Sequence, residues 1–268
     1  KFFRDIYRDR NVYVCQSCGL GQADLSLIDD DELSLYYRDK YRAVAGIAMN
    51  ENGVETPHLR ARGKALAGLL ERYRGTQPVR RVFEVGAGYG ANLLAVGARF
   101  PDVKLYTDEI DASIDRPAAI GTATLSDGPY DAIVMSHVLE HFIDPAGALA
   151  RSASALGEGG LLVVEVPNDD PRSVGVAGFD EPHVLFFNED TLRQTAGKVP
   201  ELKLLEIFTA GPSRQGKRQL RHMLRDLASW LPAGIRKRLK ATLRKGEMDF
   251  STPTVDGIYL RAIFRKAA

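Results

Sequence analysis

The chain has 268 residues, of which 44% are hydrophobic, with two cysteines and a formal net charge of +1 at pH 7. This length suits one α/β domain with additions, and two cysteines are too few for a disulfide-stabilised scaffold. The sequence contains neither a run of about 20 apolar residues nor a secretory signal pattern, so a cytoplasmic enzyme is the expected class.

The N-terminal module, residues 1–55, contains a C-x-x-C-G turn. Its Cys15 and Cys18 have the spacing of a zinc half-site, in which two thiolates approach one tetrahedral ion. A structural zinc site needs four ligands, and the sequence has no second cysteine pair. The turn therefore predicts either two zinc ligands or two free thiols. A tyrosine-rich segment, 33–41, follows it.

The main domain, residues 56–268, is predicted to open with a helix. Thr56 is a capping residue, Pro57 occupies the first helical position, and Gly75 ends the helix. This helix is expected to cover the sheet just before its first strand.

Residues 81–94 are the centre of the predicted fold. Residues 82–85 indicate a buried strand, three glycines follow at alternate positions, and residues 93–100 have helical character. A strand that passes through a glycine turn into a helix is typical of the nucleotide-binding edge of an open α/β sheet. The spacing is E-x-G-x-G-x-G, not the dinucleotide fingerprint G-x-G-x-x-G. Glu84 would repel a pyrophosphate, but it can pair with a cationic amino group.

Two acids follow the second predicted strand, 103–107. A carboxylate at this strand tip, about 20 residues after the glycines, can accept hydrogen bonds from both ribose hydroxyls. Glu109 is the first candidate and Asp108 the second.

The fourth predicted strand, 131–135, leads into S-H-V-L-E-H. Two histidines that flank a glutamate at a strand tip favour a functional site over an ordinary core position. A helix at 145–156 and a strand at 161–168 come next, separated by a glycine turn at 157–160. Residues 202–209 and 257–264 are predicted as the sixth and seventh strands.

A basic segment, residues 213–245, lies between those last two strands. It carries eleven Lys or Arg and one acid, a balance of +10, which leaves −9 for the rest of the chain. Its leucines follow the spacing of one helix face, so a basic helical insertion is predicted. Its expected partner is an anionic substrate or an anionic membrane surface. Its single tryptophan gives little support for nucleic acid.

Taken in order over residues 78–264, these motifs resemble the class I S-adenosylmethionine-dependent methyltransferases. The E-x-G-x-G-x-G loop has the form of their first motif, and H-V-L-E-H followed by D-P resembles the fourth motif of one large subset. The C-x-x-C-G-L turn is similar to the N-terminal module of sugar C-methyltransferases, where the tyrosine-rich segment folds over the cofactor. The resemblance implies a Rossmann-like open twisted sheet with helices on both faces, mostly parallel with an antiparallel edge strand.

The resemblance also implies roles for individual residues. S-adenosylmethionine is the implied cofactor, with zinc at Cys15 and Cys18. The general base is expected from His141 or from His183, which lies in an H-x-x-x-F segment. The implied cofactor-binding residues are Glu84, Gly86, Ala87, Gly88, Tyr89, Gly90, Asp108, Glu109, Ser136, His137 and Val138.

The resemblance implies a third strand and an acid near the adenine between residues 111 and 129. This stretch is short for the fold, so the sheet could lack an element here. Residues 118–125 are the candidate strand and Asp127 is the candidate acid.

The expected activity is methyl transfer to a small or glycan-linked acceptor. The first candidate acceptor is a hydroxyl of a sugar or polysaccharide, or a sugar carbon. A quinone or other small aromatic is the alternative acceptor, because quinone-biosynthesis members hold a divalent ion at positions that match Glu140 and His141. The non-enzymatic alternative is a cofactor-binding scaffold docked through its basic helices to a membrane or an anionic partner. The sequence leaves the oligomeric state open.

Overall fold

The computed structural model describes residues 12–24, 35, 38, 57–111, 114, 116–169, 183–213 and 250–267. Thr56, the tyrosine-rich segment apart from Leu35 and Arg38, and the basic segment beyond Ser213 lie outside the described residues.

Four helices and ten strands have both ends within the described ranges, and Leu35 and Arg38 are helical as well. The helices are α1 (Pro57–Tyr73), α2 (Ala91–Arg99), α3 (Pro145–Ala155) and α4 (Glu189–Ala196). The strands are β1 (Val12–Val14), β2 (Gly21–Ala23), β3 (Arg81–Val85), β4 (Lys104–Thr107), β5 (Ile120–Thr122), β6 (Tyr130–Ser136), β7 (Leu156–Pro167), β8 (Leu185–Phe186), β9 (Leu202–Ser213) and β10 (Gly257–Lys266). Single 3-10 turns occupy Leu125–Asp127 and Leu139–His141.

Seven strands form one sheet in the order β5-β4-β3-β6-β7-β10-β9. The first five are parallel to one another, and β10 runs antiparallel to both β7 and β9. The predicted fold class is confirmed, and the predicted sixth and seventh strands form the antiparallel pair at one edge. The outermost strand is β9, with β10 between it and β7.

The sheet is buried on both faces, as parallel sheets generally are. Strand β7 shows why, because its side chains alternate between two hydrophobic clusters: Leu162 and Val164 lie in one, Leu161 and Val163 in the other. Helices α1 and α2 contribute apolar side chains to the second cluster and α3 and α4 to the first. The layers of helix, sheet and helix therefore hold the strand ends in fixed positions.

The short stretch between β4 and β6 retains a strand. Strand β5 lies within the predicted range 118–125, so the sheet lacks no strand on this side. Asp127 is exposed, and its carboxylate accepts hydrogen bonds from the backbone N–H and the hydroxyl of Thr124. These bonds lower the pKa of Asp127 and use its side chain to cap a 3-10 turn.

The predicted glycine turn at 157–160 is included in β7, as an irregular stretch between the pairs Tyr130–Leu156 and Ala132–Leu161. Strand β7 begins at Leu156, directly after α3, and the irregularity appears as a register shift between Tyr130 and Ala132 of the paired β6. Gly159 takes a φ of 69° within this stretch.

The cysteine turn belongs to a second, three-stranded sheet. Its order is β1-β2-β8, so the N-terminal hairpin pairs with residues that follow the main domain's β7. No helix in the described part of the chain is both long enough and apolar enough to span a membrane.

Candidate cofactor and active site

The predicted site residues meet at the carboxyl edge of the parallel strands. Strand β3 pairs with β4 on one side and with β6 on the other, so chain connections leave β3 in opposite directions. Open α/β sheets bind ligands outside the strand ends at such a switch point. The glycine loop follows β3 and the S-H-V-L-E-H motif follows β6, as the order of the motifs predicts.

The glycine loop needs its glycines for backbone shape. Gly86 and Gly88 each take a φ of 57° and Gly90 takes 79°, a region that costs other residues free energy. Gly90 caps helix α2, and a Cβ at this residue would lie 2.2 Å from Cδ1 of Ile120. Tyr89 lies between these glycines and is half-buried. The loop is therefore held tightly against the sheet.

The residues at the tip of β4 lie beside this loop. The N–H of Gly86 donates to Oδ1 of Asp108 at 3.0 Å, and the N–H of Gly88 donates to Oε2 of Glu109 at 2.6 Å. The N–H of Ala87 donates to the hydroxyl of Thr107 at 3.2 Å. Burial raises the pKa of Asp108. Both predicted ribose acids are thus within reach of a ligand on the loop.

Glu84 lies under the loop and is 2% exposed. Its Oε1 accepts a hydrogen bond from Nδ2 of Asn92 at 2.6 Å. Its buried Oε2 has no hydrogen-bond partner among the described residues. Burial raises the pKa of Glu84 to about 8.

A buried ion network lies next to Glu84. Oε1 of Glu165 accepts hydrogen bonds from Nε and Nη2 of Arg62, at 3.0 and 2.5 Å, and Oε2 accepts one from Nε of Arg261 at 2.7 Å. Burial opposes ionisation of Glu165, but the two guanidinium groups outweigh it and hold the pKa of that carboxyl well below its usual range. Arg261 also donates to the backbone carbonyl of Phe250, where the chain returns from the basic segment.

The tip of β6 is attached to this network. The Ser136 hydroxyl accepts from Nη2 of Arg62 at 2.9 Å and lies 3.2 Å from Oε1 of Glu165. His137 takes a φ of 57°, and burial, followed by the charge of Arg62, lowers the pKa of its imidazole well below the usual value. A Cβ on Gly86 would lie 3.2 Å from Cγ1 of Val138. The predicted residues 136–138 therefore adjoin the glycine loop.

The two candidate bases, His141 and His183, lie together. Their ring centroids are 5.1 Å apart, and both side chains are mostly buried, with 14% and 10% exposed. Oε1 of buried Glu140 lies 3.8 Å from Nε2 of each ring and 3.5 Å from Nδ1 of His137. Asp169 lies 4.0 Å from the other nitrogen of His183. Residues from two distant parts of the sequence thus form one cluster of imidazoles around a carboxylate.

This cluster is the one group of metal-donor side chains found in the described ranges. The ligand atoms of Glu140, His141 and His183 lie within 4.8 Å of one another. The three ring-to-carboxylate distances exceed a direct hydrogen bond, so a water molecule or a cation could bridge the rings and the carboxylate.

Cys15 and Cys18 lie at the tip of the β1–β2 hairpin. Cys15 is exposed and Cys18 half-buried, and both are free thiols. Backbone N–H groups of Cys18 and Ser17 lower the pKa of the Cys15 thiol, which favours the thiolate that zinc binds. No third donor side chain of the described ranges joins them.

Sequence reasoning missed Asn92, Arg62, Glu165 and Arg261. A signal existed for the last two, because each is a lone charge within an apolar predicted strand, and they are direct partners across β7 and β10. Arg62 lies among several arginines of α1, and nothing in the local sequence distinguishes it.

The site fits S-adenosylmethionine, a ligand with a sulfonium, an α-ammonium and an adenosine. The unpartnered Oε2 of Glu84 can accept from a cationic amino group. The positive-φ glycine loop allows close backbone approach, and the carboxylates of Asp108 and Glu109 flank it. A site with three acids around a loop favours a cationic ligand over a pyrophosphate.

Several solved methyltransferases share this fold. The plantazolicin methyltransferase BpumL in complex with SAH has 15% sequence identity and a TM-score of 0.52, over 88% of this chain and 94% of its own. The methyltransferase from a Haloferax volcanii complex with the Trm112 activator has 15% identity and a TM-score of 0.54, over 87% and 98%. A Haemonchus contortus phosphoethanolamine N-methyltransferase in complex with S-adenosyl-L-methionine has 11% identity and a TM-score of 0.52, over 88% and 60%. At these identities the likeness concerns the fold alone.

No curated protein matches the chain. A family model described as a methyltransferase domain matches residues 58–234. The match covers more than half of the chain and includes the glycine loop, the acids after β4, the S-H-V-L-E-H motif and His183. The chain therefore belongs to the methyltransferase domain family, as its motifs predicted.

Proposed function

We propose that this methyltransferase uses S-adenosylmethionine to methylate a hydroxyl of a sugar or polysaccharide, or a sugar carbon. The observation that carries the acceptor class is the position of the basic segment. Strand β9 ends at Ser213, at the same end of the sheet as the carboxyl ends of β6 and β7. The described chain resumes at Phe250, whose carbonyl accepts a hydrogen bond from Arg261 of the ion network. A +10 segment that the sequence places between Ser213 and Phe250 suits a nucleotide-linked or carrier-linked sugar, which is anionic.

The cofactor, when bound, supplies an electrophilic methyl group on a positively charged sulfur. Glu84 would pair with its amino group, and Glu109, or Asp108 as the second candidate, would accept hydrogen bonds from its ribose hydroxyls. The backbone of residues 136–138 would lie against the bound cofactor. By fixing the acceptor oxygen in line with the methyl carbon, the protein can supply up to about 7–11 kcal/mol of the barrier reduction through orientation alone.

His141 and His183 are assigned to acceptor activation. As the acceptor oxygen forms its bond to carbon and the carbon–sulfur bond breaks, the hydroxyl proton must leave. An imidazole is suited to take it, since its ordinary pKa is near 6.5, and the Glu140 carboxylate would stabilise the resulting imidazolium.

Substitution of these histidines tests that assignment. His141→Ala and His183→Ala are each expected to lower turnover by about 10²–10⁴-fold, the usual contribution of a positioned acid or base. The affinity for S-adenosylmethionine should stay within about threefold, because both rings lie around Glu140, beyond the tip of β6, and not on the glycine loop. Turnover is measured as methyl incorporation into a panel of nucleotide sugars and glycans. The affinity for S-adenosylmethionine is measured by calorimetry. Full activity in both variants would contradict the assignment.

A quinone or another small aromatic is the second candidate acceptor. The observation in its favour is the donor set of Glu140, His141 and His183, which would hold a divalent cation that lowers the pKa of a phenolic hydroxyl. Transfer to catechols that a chelator abolishes and Mn²⁺ or Zn²⁺ restores would support this acceptor class. Chelator-resistant transfer to sugars would support the first proposal.

Zinc at Cys15 and Cys18 remains a separate proposal. The lowered pKa of the Cys15 thiol and the C-x-x-C-G spacing support it. Metal analysis of the purified chain, beside a Cys15→Ser variant, tests it: a metal content that this substitution does not change would contradict zinc at the turn.

A further inference from the structure

Glu84 is a carboxyl group without a dedicated counter-charge. Asn92, which holds its Oε1, is neutral, and Oε2 is buried without a hydrogen-bond partner among the described residues. A buried carboxylate in such surroundings loses hydration that one amide cannot replace, so the protonated form is favoured.

The charged groups that face Glu84 act in both directions on this preference. Arg62 of α1 is the nearby cation, but it donates two hydrogen bonds to Glu165 and one to Ser136. Burial is the main cause of the raised pKa of Glu84; the Asn92 hydrogen bond and the charge of Arg62 lower that pKa, whereas Glu165 of β7 and Glu109 after β4 raise it. The one arginine beside Glu84 is thus already committed to another carboxylate.

We propose that Glu84 holds a proton while no cofactor is bound and releases it to solvent when S-adenosylmethionine binds, so that cofactor binding is coupled to pH. The inference rests on the proposed use of that cofactor. The α-ammonium group of the cofactor supplies the missing counter-charge, and the Glu84 carboxylate then pairs with it. The proton balance closes, because one proton leaves Glu84 and the ammonium keeps its own.

The sign of the pH effect follows from linkage. The bound state carries one proton fewer than the free state, so a rise in pH favours binding. The dissociation constant should fall about tenfold for each pH unit between about pH 5.5 and 7, and reach a minimum near pH 8, where the free protein has lost the proton. At higher pH it should rise again, because the free cofactor then loses the proton of its α-ammonium group. Below this range the effect continues until the carboxyl of the complex titrates.

Calorimetry at about pH 6.5 tests the proposal without any acceptor. S-adenosylmethionine is titrated into the full chain in buffers that differ in ionisation enthalpy, and the slope of the observed enthalpy gives the number of protons released. The expected value is about one per bound cofactor, because at this pH an α-amino group with an ordinary pKa near 7.7–8.0 stays charged throughout. Binding without proton release would overturn the coupling. Absence of binding would instead contradict the proposed function.

Two variants assign the proton to Glu84. Glu84→Gln matches the protonated side chain in shape, and is expected to bind more weakly, with no proton release and no pH dependence below neutral pH. Asp108→Asn removes the neighbouring acid whose pKa is also raised, and should retain the release. Loss of release in Asp108→Asn, with release kept in Glu84→Gln, would assign the proton to Asp108 and refute the proposal.

The ligand control needs no substitution. Methylthioadenosine lacks the amino-acid part of the cofactor, so its binding to the unmodified chain should release no proton. If it releases as many protons as S-adenosylmethionine, the ammonium group is not the cause and the proposal fails. This control also covers the case in which Glu84→Gln does not fold.

Discussion

Glu165 holds two arginines in the interior of the protein. Its side chain and that of Arg261 are fully buried, and that of Arg62 is 11% exposed. Guanidinium groups cannot shed their charge at ordinary pH, so their burial depends on this carboxylate. The same network positions Ser136 at the tip of β6, which links the stability of the core to the shape of the crevice.

Glu165→Gln should therefore destabilise the fold. Breaking a buried ion pair by removing one partner costs about 3–5 kcal/mol, and here two cations lose their partner. The free energy of unfolding from urea denaturation measures the loss. The matched control is Glu189→Gln, which breaks an exposed pair with Arg193 at 3.1 Å on α4 and should cost under about 0.5 kcal/mol. Equal effects for the two variants would contradict the role of Glu165.

At the level of elements, the junction of β3 with α2 depends on backbone shape. Gly90 combines a positive φ with the absence of room for a Cβ beside Ile120. Gly68 is exposed within α1, and no atom lies within 4 Å of the position that a Cβ would occupy there. The two glycines thus occupy opposite environments in neighbouring helices.

Alanine at these two positions should act in opposite directions. Gly90→Ala should lower stability by about 1–3 kcal/mol and weaken cofactor binding, because the loop must shift away from β5. Gly68→Ala should raise stability by about 0.5–1 kcal/mol, since alanine is the better helix former. Thermal unfolding with and without S-adenosylmethionine measures both. A neutral Gly90→Ala would show that the loop is more adaptable than its geometry suggests.

The sequence was informative for these elements because their signals are local. Periodicity identified β3, α2 and β6, and the spacing of three glycines after Glu84 specified the turn between the first two. The ion network was not predictable in the same way, because the contact of Arg62 with Glu165 depends on how α1 packs across β7. The pairing of His141 with His183 depends likewise on the path of the chain through residues 142–182, which no local pattern encodes.

On the scale of the whole molecule, charge is divided between a basic segment and an acidic remainder. The described crevice contributes carboxylates at Glu84, Asp108, Glu109 and Glu140, which suit a cationic cofactor. The basic segment, which the sequence places between the described residues Ser213 and Phe250, would suit the proposed anionic acceptor. The cofactor and the acceptor of the proposed reaction would then be selected by regions of opposite electrostatic potential.

Charge reversal in the basic segment tests whether this segment affects acceptor binding without affecting cofactor binding. Replacement of Arg236, Lys237, Arg238 and Lys240 by glutamate should leave the affinity for S-adenosylmethionine within about twofold and weaken binding of nucleotide sugars by about tenfold or more at low salt. Titration of each ligand at two salt concentrations measures this. If the variant keeps its nucleotide-sugar affinity but no longer binds anionic lipid vesicles, the segment serves membrane attachment instead.

The two ends of the long insertion are tied to each other by the sheet. The N–H of Thr254 donates to the carbonyl of Thr209 at 2.8 Å, the Thr254 hydroxyl donates to the carbonyl of Gly211 at 2.9 Å, and Pro253 forms a bridge with Ala210. Since each doubling of loop length costs only about 0.6 kcal/mol in closure entropy, the intervening chain is free to lengthen, shorten or be replaced over evolutionary time. Under the proposed function, exchange of this one segment would bring new acceptors, while the strands and loops that hold the methyl donor are inherited unchanged.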